Sequence, residues 1–134
     1  MYLNRLNTEF INDIKTGIVS ADLTDGEIQI DDHLDKIDYL FLSDENNKII
    51  ITHGTDTIAE TGQAIMKEKL NKCIILTGAM IPIKFGSSDG LFNLGCAVGL
   101  VQSLKNGVYV AMNGNYFPAN KVKKNIQSGL FEEV

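Results

Sequence analysis

The pattern of apolar and polar positions along this chain predicts short buried strands that alternate with helices. Uninterrupted apolar runs rich in β-branched residues are typical of parallel strands covered on both faces. Such runs lie at residues 49–51, 73–77 and 108–112, and residues 18–23 form a shorter strand candidate. Helical spacing of apolar residues continues over 58–70 and 90–104. The helix over 90–104 is apolar nearly all round, which predicts that it is deeply packed.

Amphipathic spacing predicts two more helices in the N-terminal third, one over residues 3–15 and one around residues 34–41. Helices and strands then alternate through most of the chain, and connections of this length predict right-handed crossovers between parallel strands. The predicted fold class is therefore α/β, a three-layer open, mainly parallel sheet with helices on both faces. A chain of 134 residues forms one domain, residues 1–134.

Composition and charge narrow the class of protein. The net charge of −5, from 12 basic and 17 acidic residues, argues against non-specific nucleic-acid binding. No apolar run approaches the roughly 20 residues needed to span a bilayer, and the first residues lack the apolar core of a signal peptide. We therefore expect a cytoplasmic protein with neither a nucleic-acid nor a membrane partner.

The cysteines and the acidic residues predict neither a metal nor a cofactor. Cys73 and Cys96 lie in apolar surroundings without CxxC spacing, which favours two buried free thiols in a reducing compartment. Many carboxylates lie between Asp22 and Glu45, but their spacing does not fit an EF-hand loop, so we interpret the stretch as a solvated acidic face. No Gly-rich phosphate loop supports a flavodoxin-like nucleotide site.

A hydroxyl and a carboxylate lie side by side where the first isoleucine-rich run ends, in His53-Gly54-Thr55-Asp56-Thr57. The carboxyl ends of parallel strands share one edge of a sheet, where ligands bind. A hydroxyl nucleophile needs a base, and a lysine partly removed from water can supply one. The lysines that follow the last strand can reach that edge, and they are Lys121, Lys123 and Lys124.

The spacing alone leaves a purely structural interpretation open. Thr57 with Glu60 three residues later is a capping box. Residues Thr55–Thr57 could therefore begin the helix and have no chemical role. Asp89 can likewise cap the next helix. Three lysines within four residues usually form a solvated surface patch. Residues 126–134 are too few and too polar to predict another packed unit.

Residues His53–Thr57 resemble the second signature of the bacterial-type L-asparaginase family, placed after an apolar strand as in that family. Thr77–Pro82 resembles the family's GAMxP loop, and Ser88–Leu94 is similar to its SADGxxNL helix start. Gly107–Asn113 resembles the next family strand, and Val122–Lys124 the segment that bears the catalytic lysine. The resemblance implies an N-terminal asparaginase domain, with a Rossmann- or flavodoxin-like sheet.

The resemblance also implies a role for each matching residue. Thr55, Lys124 and Asp56 would form a Thr-Lys-Asp triad, with Lys124 as the base acting on Thr55. Asp56 would order the lysine and bind the substrate's α-ammonium group, and Ser20 would hydrogen-bond its α-carboxylate. The remaining substrate-binding positions would be Gly54, Ala79 and Met80. Counting from the last strand favours Lys124 over Lys121 and Lys123.

Parts of the family pattern are not found in this sequence. No TGG occurs, although the family opens with a strand ending in TGGT whose last threonine is taken as the primary nucleophile. The small C-terminal domain, which completes the neighbouring subunit's pocket, is also missing. Around Ser20, Val19 and Ala21 replace the usual aspartate and glutamine. Because a missing first strand would expose a parallel edge, we expect a homodimer or higher homo-oligomer.

The function implied by the resemblance is amide hydrolysis, in which L-asparagine and water give L-aspartate and ammonia without a cofactor. Two alternatives stay open. One is a non-catalytic domain that binds asparagine or aspartate, since the TGGT threonine is not among these residues. The other is the asparaginase-like subunit of a tRNA-dependent amidotransferase.

Overall fold

Five strands form the main sheet of the computed structural model, which describes residues 18–23 and 47–134. In order across the sheet they are β1 (Ile18–Leu23), β2 (Lys48–His53), β3 (Cys73–Thr77), β4 (Gly107–Met112) and β5 (Asn115–Pro118). The first four are parallel, and β5 runs antiparallel to β4. The four strands predicted from the apolar runs are confirmed. The helices predicted at 3–15 and around 34–41 lie outside the described residues.

Two helices cover opposite faces of this sheet. Helix α1 (Ile58–Lys67) follows β2, and α2 (Gly90–Ser103) follows β3 after a loop. Ile49 and Ile51 pack with the buried residues of α1, whereas Ile50 packs with those of α2. All three isoleucines are fully buried because both faces of β2 are covered. The predicted α/β architecture is confirmed in the described part of the chain.

The two crossovers between β2, β3 and β4 have opposite hands. The three strands are parallel and lie side by side in chain order, so both connections move across the sheet in the same direction. Two such connections have the same hand only if their helices lie on the same face of the sheet. Because α1 and α2 lie on opposite faces, one of the two βαβ units is left-handed. The prediction of right-handed crossovers throughout is therefore wrong. The rule holds for about 98% of such units, and nothing in the apolar pattern marks the exception.

Both helices begin where the sequence predicts, but their first turns differ from the prediction. Thr57 is the N-cap of α1 and Asp89 the N-cap of α2, and neither side chain makes a capping hydrogen bond. Helix α2 is also less buried than its composition predicts, since Leu91 and Phe92 are 59% and 60% exposed. No helix within residues 47–134 is long and apolar enough to cross a membrane.

After β4 the chain forms short strands that the sequence pattern did not predict. Asn113 and Gly114, both with positive φ, turn the chain back into β5. A 3₁₀ turn then leads to β6 (Val122–Lys124), which pairs with β7 (Phe131–Glu133) in a separate ribbon. Phe131 is buried in the cluster around α1. The prediction that residues 126–134 add no packed unit is thus wrong, because three-residue strands are too short to show an alternating pattern.

Gly78 permits the close approach of the chain where β2 and β3 end. A Cβ atom on this residue would lie 2.3 Å from the carbonyl oxygen of His53 and 3.4 Å from the methyl group of Thr55. The carbonyl belongs to the backbone of a buried strand and has little freedom to move aside. The absence of a side chain therefore lets the loop after β3 contact the turn after β2.

Replacing Gly78 by alanine should destabilise the fold by about 1–3 kcal/mol, as expected for overpacking. Gly99→Ala is the matched control, because a Cβ there meets nothing within 4 Å, and alanine stabilises a helix by up to about 1 kcal/mol over glycine. In urea unfolding the two midpoints should move in opposite directions. An unchanged midpoint for Gly78→Ala would contradict the close approach.

Candidate functional site

Lys124 contacts Thr55 and Asp56 at the edge of the sheet where β2 ends. Its Nζ donates to Thr55 Oγ1 at 2.9 Å and to Asp56 Oδ1 at 2.5 Å. Thr55 is 9% exposed, the Lys124 side chain 17% and the Asp56 side chain 74%. The structure thus brings the three side chains of the predicted triad into direct contact. Thr55 and the Lys124 side chain are thus mostly buried, and the Asp56 side chain is open to solvent.

The ribbon of β6 and β7 distinguishes Lys124 from the other two lysines. Successive residues of a strand point to opposite faces. Lys124 therefore faces Thr55, whereas Lys123 pairs with Glu132 at 3.4 Å. Lys121 lies in the 3₁₀ turn before β6 and is exposed. Of the three candidates, the structure places Lys124 at the hydroxyl.

Asn125 fixes the turn that follows Lys124. Its Oδ1 accepts hydrogen bonds from the N–H groups of Gln127 and Ser128, at 3.0 and 3.2 Å. Its own N–H donates to the carbonyl of Leu130 at 2.8 Å. These bonds close the ribbon directly beside the lysine. This role was not predicted from the sequence, although an asparagine with serine and glycine within the next four residues is a recognised turn signal.

His53 fixes the turn that precedes Thr55. Its Nδ1 lies 2.6 Å from the carbonyl oxygen of Gly54, and its Nε2 lies 2.8 Å from Oγ1 of Thr61 in α1. Because a carbonyl only accepts, Nδ1 donates to Gly54, and Nε2 shares a hydrogen bond with the threonine hydroxyl. His53 and Thr61 are both buried. The imidazole therefore ties the turn at Gly54 to the helix that follows it.

Asp89 holds the loop that carries Ala79 and Met80, both of which are half-buried. Its carboxylate accepts the N–H of Met80 at 3.1 Å and of Ile81 at 3.0 Å. Burial raises the pKa of the Asp89 carboxyl, but the hydrogen bonds from Ile81, Met80 and the Asn93 amide outweigh it, so the net pKa is lowered. The predicted helix cap is thus an anchor for the loop after β3.

Asn93 joins the ends of two strands through one fully buried side chain. Its Nδ2 donates to the carbonyl of Gly78 at 2.9 Å, and its Oδ1 accepts the N–H of Asn113 at 3.0 Å. Asn93 lies in the Ser88–Leu94 motif, but no role was predicted for it from the sequence. A polar residue among the apolar positions of α2 is the signal that could have identified it, since buried amides need partners.

The predicted substrate-binding residue Ser20 lies away from these residues along the sheet. In β1 it pairs with Ile50, three residues before β1 and β2 end together at Leu23 and His53. At about 3.3 Å per residue, its backbone is about 10 Å from the edge that carries Thr55. The role of Ser20 therefore stays a prediction.

The contact of Lys124 with Thr55 can support proton transfer from a hydroxyl. An uncharged amine at 2.9 Å can accept the hydroxyl proton, and the adjacent Asp56 carboxylate stabilises the ammonium that forms. The exposed carboxylate also keeps acceptor positions for a cationic group of a ligand. Among the residues that the structure describes, no cluster of three or more His, Cys, Asp or Glu could hold a metal ion.

Comparison with known proteins gives consistent matches to asparaginases. The family model for the asparaginase N-terminal domain matches residues 14–131. The chain is 44% identical over 84 residues to the glutaminase-asparaginase of Acinetobacter glutaminasificans, covering 60% of this chain and 25% of that protein. It is 38% identical over 89 residues to the L-asparaginase of Thermococcus kodakarensis, covering 65% of this chain and 27% of that protein. The chain spans about a quarter of the length of these curated relatives.

Solved structures show the same similarity. The thermostable L-asparaginase from Thermococcus kodakarensis aligns with a TM-score of 0.71 at 30% identity, over 81% of this chain and 34% of that one. L-asparaginase I from Vibrio cholerae aligns with a TM-score of 0.61 at 28% identity. The alignment covers 80% of this chain and 34% of that one.

Asp89→Asn should lower the free energy of unfolding at neutral pH by about 1 kcal/mol, because hydrogen bonds to a charged acceptor become weaker neutral ones. The pKa of Asp89 is lower in the folded chain than in the unfolded chain. Its contribution is therefore present above the unfolded pKa of about 3.9 and is lost as the pH falls through the folded pKa.

Urea unfolding of wild type and variant over a pH series should show their difference shrinking in the acid range. Glu133→Gln, at an exposed position, controls for the loss of one negative charge. A difference that stays constant down to the lowest pH would contradict the anchoring role of the carboxylate.

Proposed function

The chain belongs to the asparaginase family, whose N-terminal domain it matches over residues 14–131, and from this membership we propose that it hydrolyses L-asparagine to L-aspartate and ammonia. The observation that carries the proposal is the 2.9 Å contact between Lys124 Nζ and Thr55 Oγ1. This contact pairs a hydroxyl with a base at the carboxyl edge of a parallel sheet, where α/β proteins bind ligands.

In the proposed reaction Thr55 is the nucleophile and Lys124 the base. Lys124 accepts the hydroxyl proton as the Thr55 oxygen attacks the carbon of the substrate's side-chain amide. The proton passes to the amide nitrogen, which leaves as ammonia while an ester forms on Thr55. Water then attacks the ester, giving its proton to Lys124, and aspartate leaves as the hydroxyl is restored.

The proposed substrate pocket lies between the turn after β2 and the loop after β3. Gly54 and Thr55 supply one side, and Ala79 and Met80 supply the other. Gly78 supports this placement, because a Cβ there would lie 3.4 Å from the Thr55 methyl group, so the two segments are in contact. In this pocket Asp56 binds the α-ammonium group of the substrate. Binding of the α-carboxylate by Ser20 rests on the sequence motif alone.

A second candidate function is binding of asparagine or aspartate without turnover. The 74% exposure of the Asp56 side chain favours it, since an open carboxylate can hold an ammonium group without any proton transfer. An asparaginase-like subunit of a tRNA-dependent amidotransferase would use the same pocket with a partner enzyme. A cytoplasmic location stays a prediction.

We also propose that the protein self-associates through exposed apolar side chains near this pocket. Phe85, which follows β3, is 69% exposed. Leu91 and Phe92, in the first turn of α2, are 59% and 60% exposed. Helix α2 carries no charged residue. In a two-fold dimer a surface faces its own copy, so an uncharged surface avoids like-charge repulsion.

Lys124→Met should reduce ammonia release from L-asparagine by about 10²–10⁴-fold, because the side chain keeps its packing but loses the base. Thr55→Ala should have an effect at least as large. Lys121→Met is the matched control, since this exposed lysine lies in the 3₁₀ turn before β6, and its activity should stay near that of the wild type. Equal rates for wild type and Thr55→Ala would remove Thr55 from the mechanism.

Thermal unfolding with and without asparagine separates turnover from binding. A ligand that binds only the folded chain raises the melting temperature. A rise without ammonia release would favour the non-catalytic function, and Asp56→Asn should abolish the rise. If millimolar asparagine gives no ammonia release and no rise in melting temperature, that result would contradict both functions.

Phe92→Asp should shift the protein toward monomer in sedimentation velocity, because a buried unpaired carboxylate is costly at an interface. Val134→Asp, at another exposed apolar position, is the control and should leave the oligomeric state unchanged. A wild type that stays monomeric at high micromolar concentration would refute self-association.

A further inference from the structure

Two asparagines in this sequence are followed directly by glycine, Asn106 and Asn113. An asparagine can lose its side-chain amide when the backbone nitrogen of the next residue attacks its Cγ atom. Glycine hinders this attack least, because it has no Cβ atom beside the nitrogen. The two asparagines lie at opposite ends of β4, since Asn106 immediately precedes the strand and Asn113 immediately follows it. The same chemistry can therefore be compared in two structural settings.

The pair at the start of β4 is held by hydrogen bonds. The Nδ2 of Asn106 donates to Oδ1 of Asn71 at 2.7 Å, and the N–H of Gly107 donates to the carbonyl of Lys72 at 2.8 Å. The nitrogen that would attack is thus bonded to the residue that precedes β3. Rotating the peptide unit between Asn106 and Gly107 breaks this bond. The attack therefore requires this end of the sheet to open.

The pair at the end of β4 lies in an exposed two-residue loop. Met112 pairs with Asn115, so Asn113 and Gly114 are the two central residues of the hairpin. Their φ values of 54° and 78° are those of a type I′ turn. Within residues 47–134, the N–H of Gly114 and the side-chain amide of Asn113 have no hydrogen-bond partner. Neither reacting group is therefore restrained by a neighbour.

A single peptide flip brings the nitrogen of Gly114 toward the Asn113 side chain. Type I′ and type II′ turns both fit a two-residue hairpin, and rotation of the central peptide unit converts one into the other. In the type II′ turn, ψ of the first central residue is about −120°. At this angle the nitrogen of Gly114 lies on the same side as the Cβ of Asn113, one bond from Cγ. The pairing of Met112 with Asn115 persists, because neither residue contributes to the rotating N–H or carbonyl.

We propose that Asn113 is a site of spontaneous deamidation in the folded chain. The backbone nitrogen of Gly114 loses its proton to solvent and attacks Cγ of Asn113, closing a five-membered succinimide ring. The bond between Cγ and the side-chain nitrogen breaks, and this nitrogen takes up a proton from solvent and leaves as ammonia. Water then opens either ring carbonyl, which leaves aspartate or isoaspartate at position 113. The net reaction consumes one water, releases one ammonia and creates one carboxylate.

The modification changes the edge of the sheet where the candidate site lies. The N–H of Asn113 donates to Oδ1 of Asn93 at 3.0 Å, so this turn is bonded to the residue that also holds Gly78. In the isoaspartate product a side-chain carbon becomes part of the main chain. The loop is then longer, although loop length fixes the register of a hairpin. The proposal does not rest on the proposed function, because it needs only this turn.

Peptide mapping by mass spectrometry compares both asparagines in one sample of the whole chain. Incubation in mildly alkaline buffer favours loss of the proton from the attacking nitrogen. We expect product at position 113 to form about tenfold or more faster than at position 106. A tenfold difference corresponds to about 1.4 kcal/mol, which is the size of one or two hydrogen bonds. In guanidinium chloride, which unfolds the chain, the two rates should become nearly equal.

Ammonia released without added asparagine gives a second measurement. The wild type should release no more than about one ammonia per chain as position 113 reacts. Asn113→Asp is the matched control, because aspartate followed by glycine also favours a type I′ turn but has no amide to lose. This variant should release ammonia only at the slower rate of Asn106.

Equal rates at the two asparagines in the folded chain would overturn the proposal. Absence of product at position 113 would also overturn it, as would equal ammonia release from wild type and Asn113→Asp. These rates are measured without asparagine, so they do not depend on whether the chain hydrolyses that amide. Repeated turnover of added asparagine releases many ammonia molecules per chain and therefore reports on the proposed function separately.

Discussion

Parallel alignment of β2, β3 and β4 is the constraint on which the candidate site depends, because it brings the residues after each strand to one edge of the sheet. Alignment alone leaves the loops free to diverge. Two local features bring them together. Gly78 has no side chain to collide with the backbone of His53, and the buried amide of Asn93 bonds the ends of β3 and β4. The loops at this edge are thus held together by the close packing at Gly78 and by the hydrogen bonds of Asn93.

The ribbon supplies what the parallel sheet cannot. Thr55 and Lys124 are 69 residues apart in sequence. After β4 the chain turns back at the Asn113 hairpin into β5, and the 3₁₀ turn Ala119–Lys121 then leads into β6, which ends at the lysine. The turn at Asn125 follows the lysine and closes the ribbon. Phe131 anchors the ribbon by packing into the core around α1. A short antiparallel unit with one buried aromatic residue therefore completes a site that begins in the parallel sheet.

The sequence predicts the local parts of this arrangement and fails where distant parts meet. The isoleucine run predicts a strand covered on both faces, and Thr55 and Asp56 follow it directly. By contrast, the spacing of the lysines leaves three candidates, because the alternation that selects Lys124 occurs within a strand of three residues. The left-handed crossover and the anchoring role of Asp89 were not predicted, for a related reason. Apolar periodicity reports burial and repeat length, but it carries no information on handedness or on which distant N–H a carboxylate will bind.

The burial of Lys124 is difficult to explain by stability. Its side chain is 17% exposed, whereas the side chain of its partner Asp56 is 74% exposed. An ion pair with an exposed member contributes about 0–1 kcal/mol, and removing a charged group from water opposes even that gain. An apolar side chain of similar length would fill the same space without needing a partner. Under the proposed function the lysine has a chemical role, since an amine in contact with a hydroxyl can accept its proton.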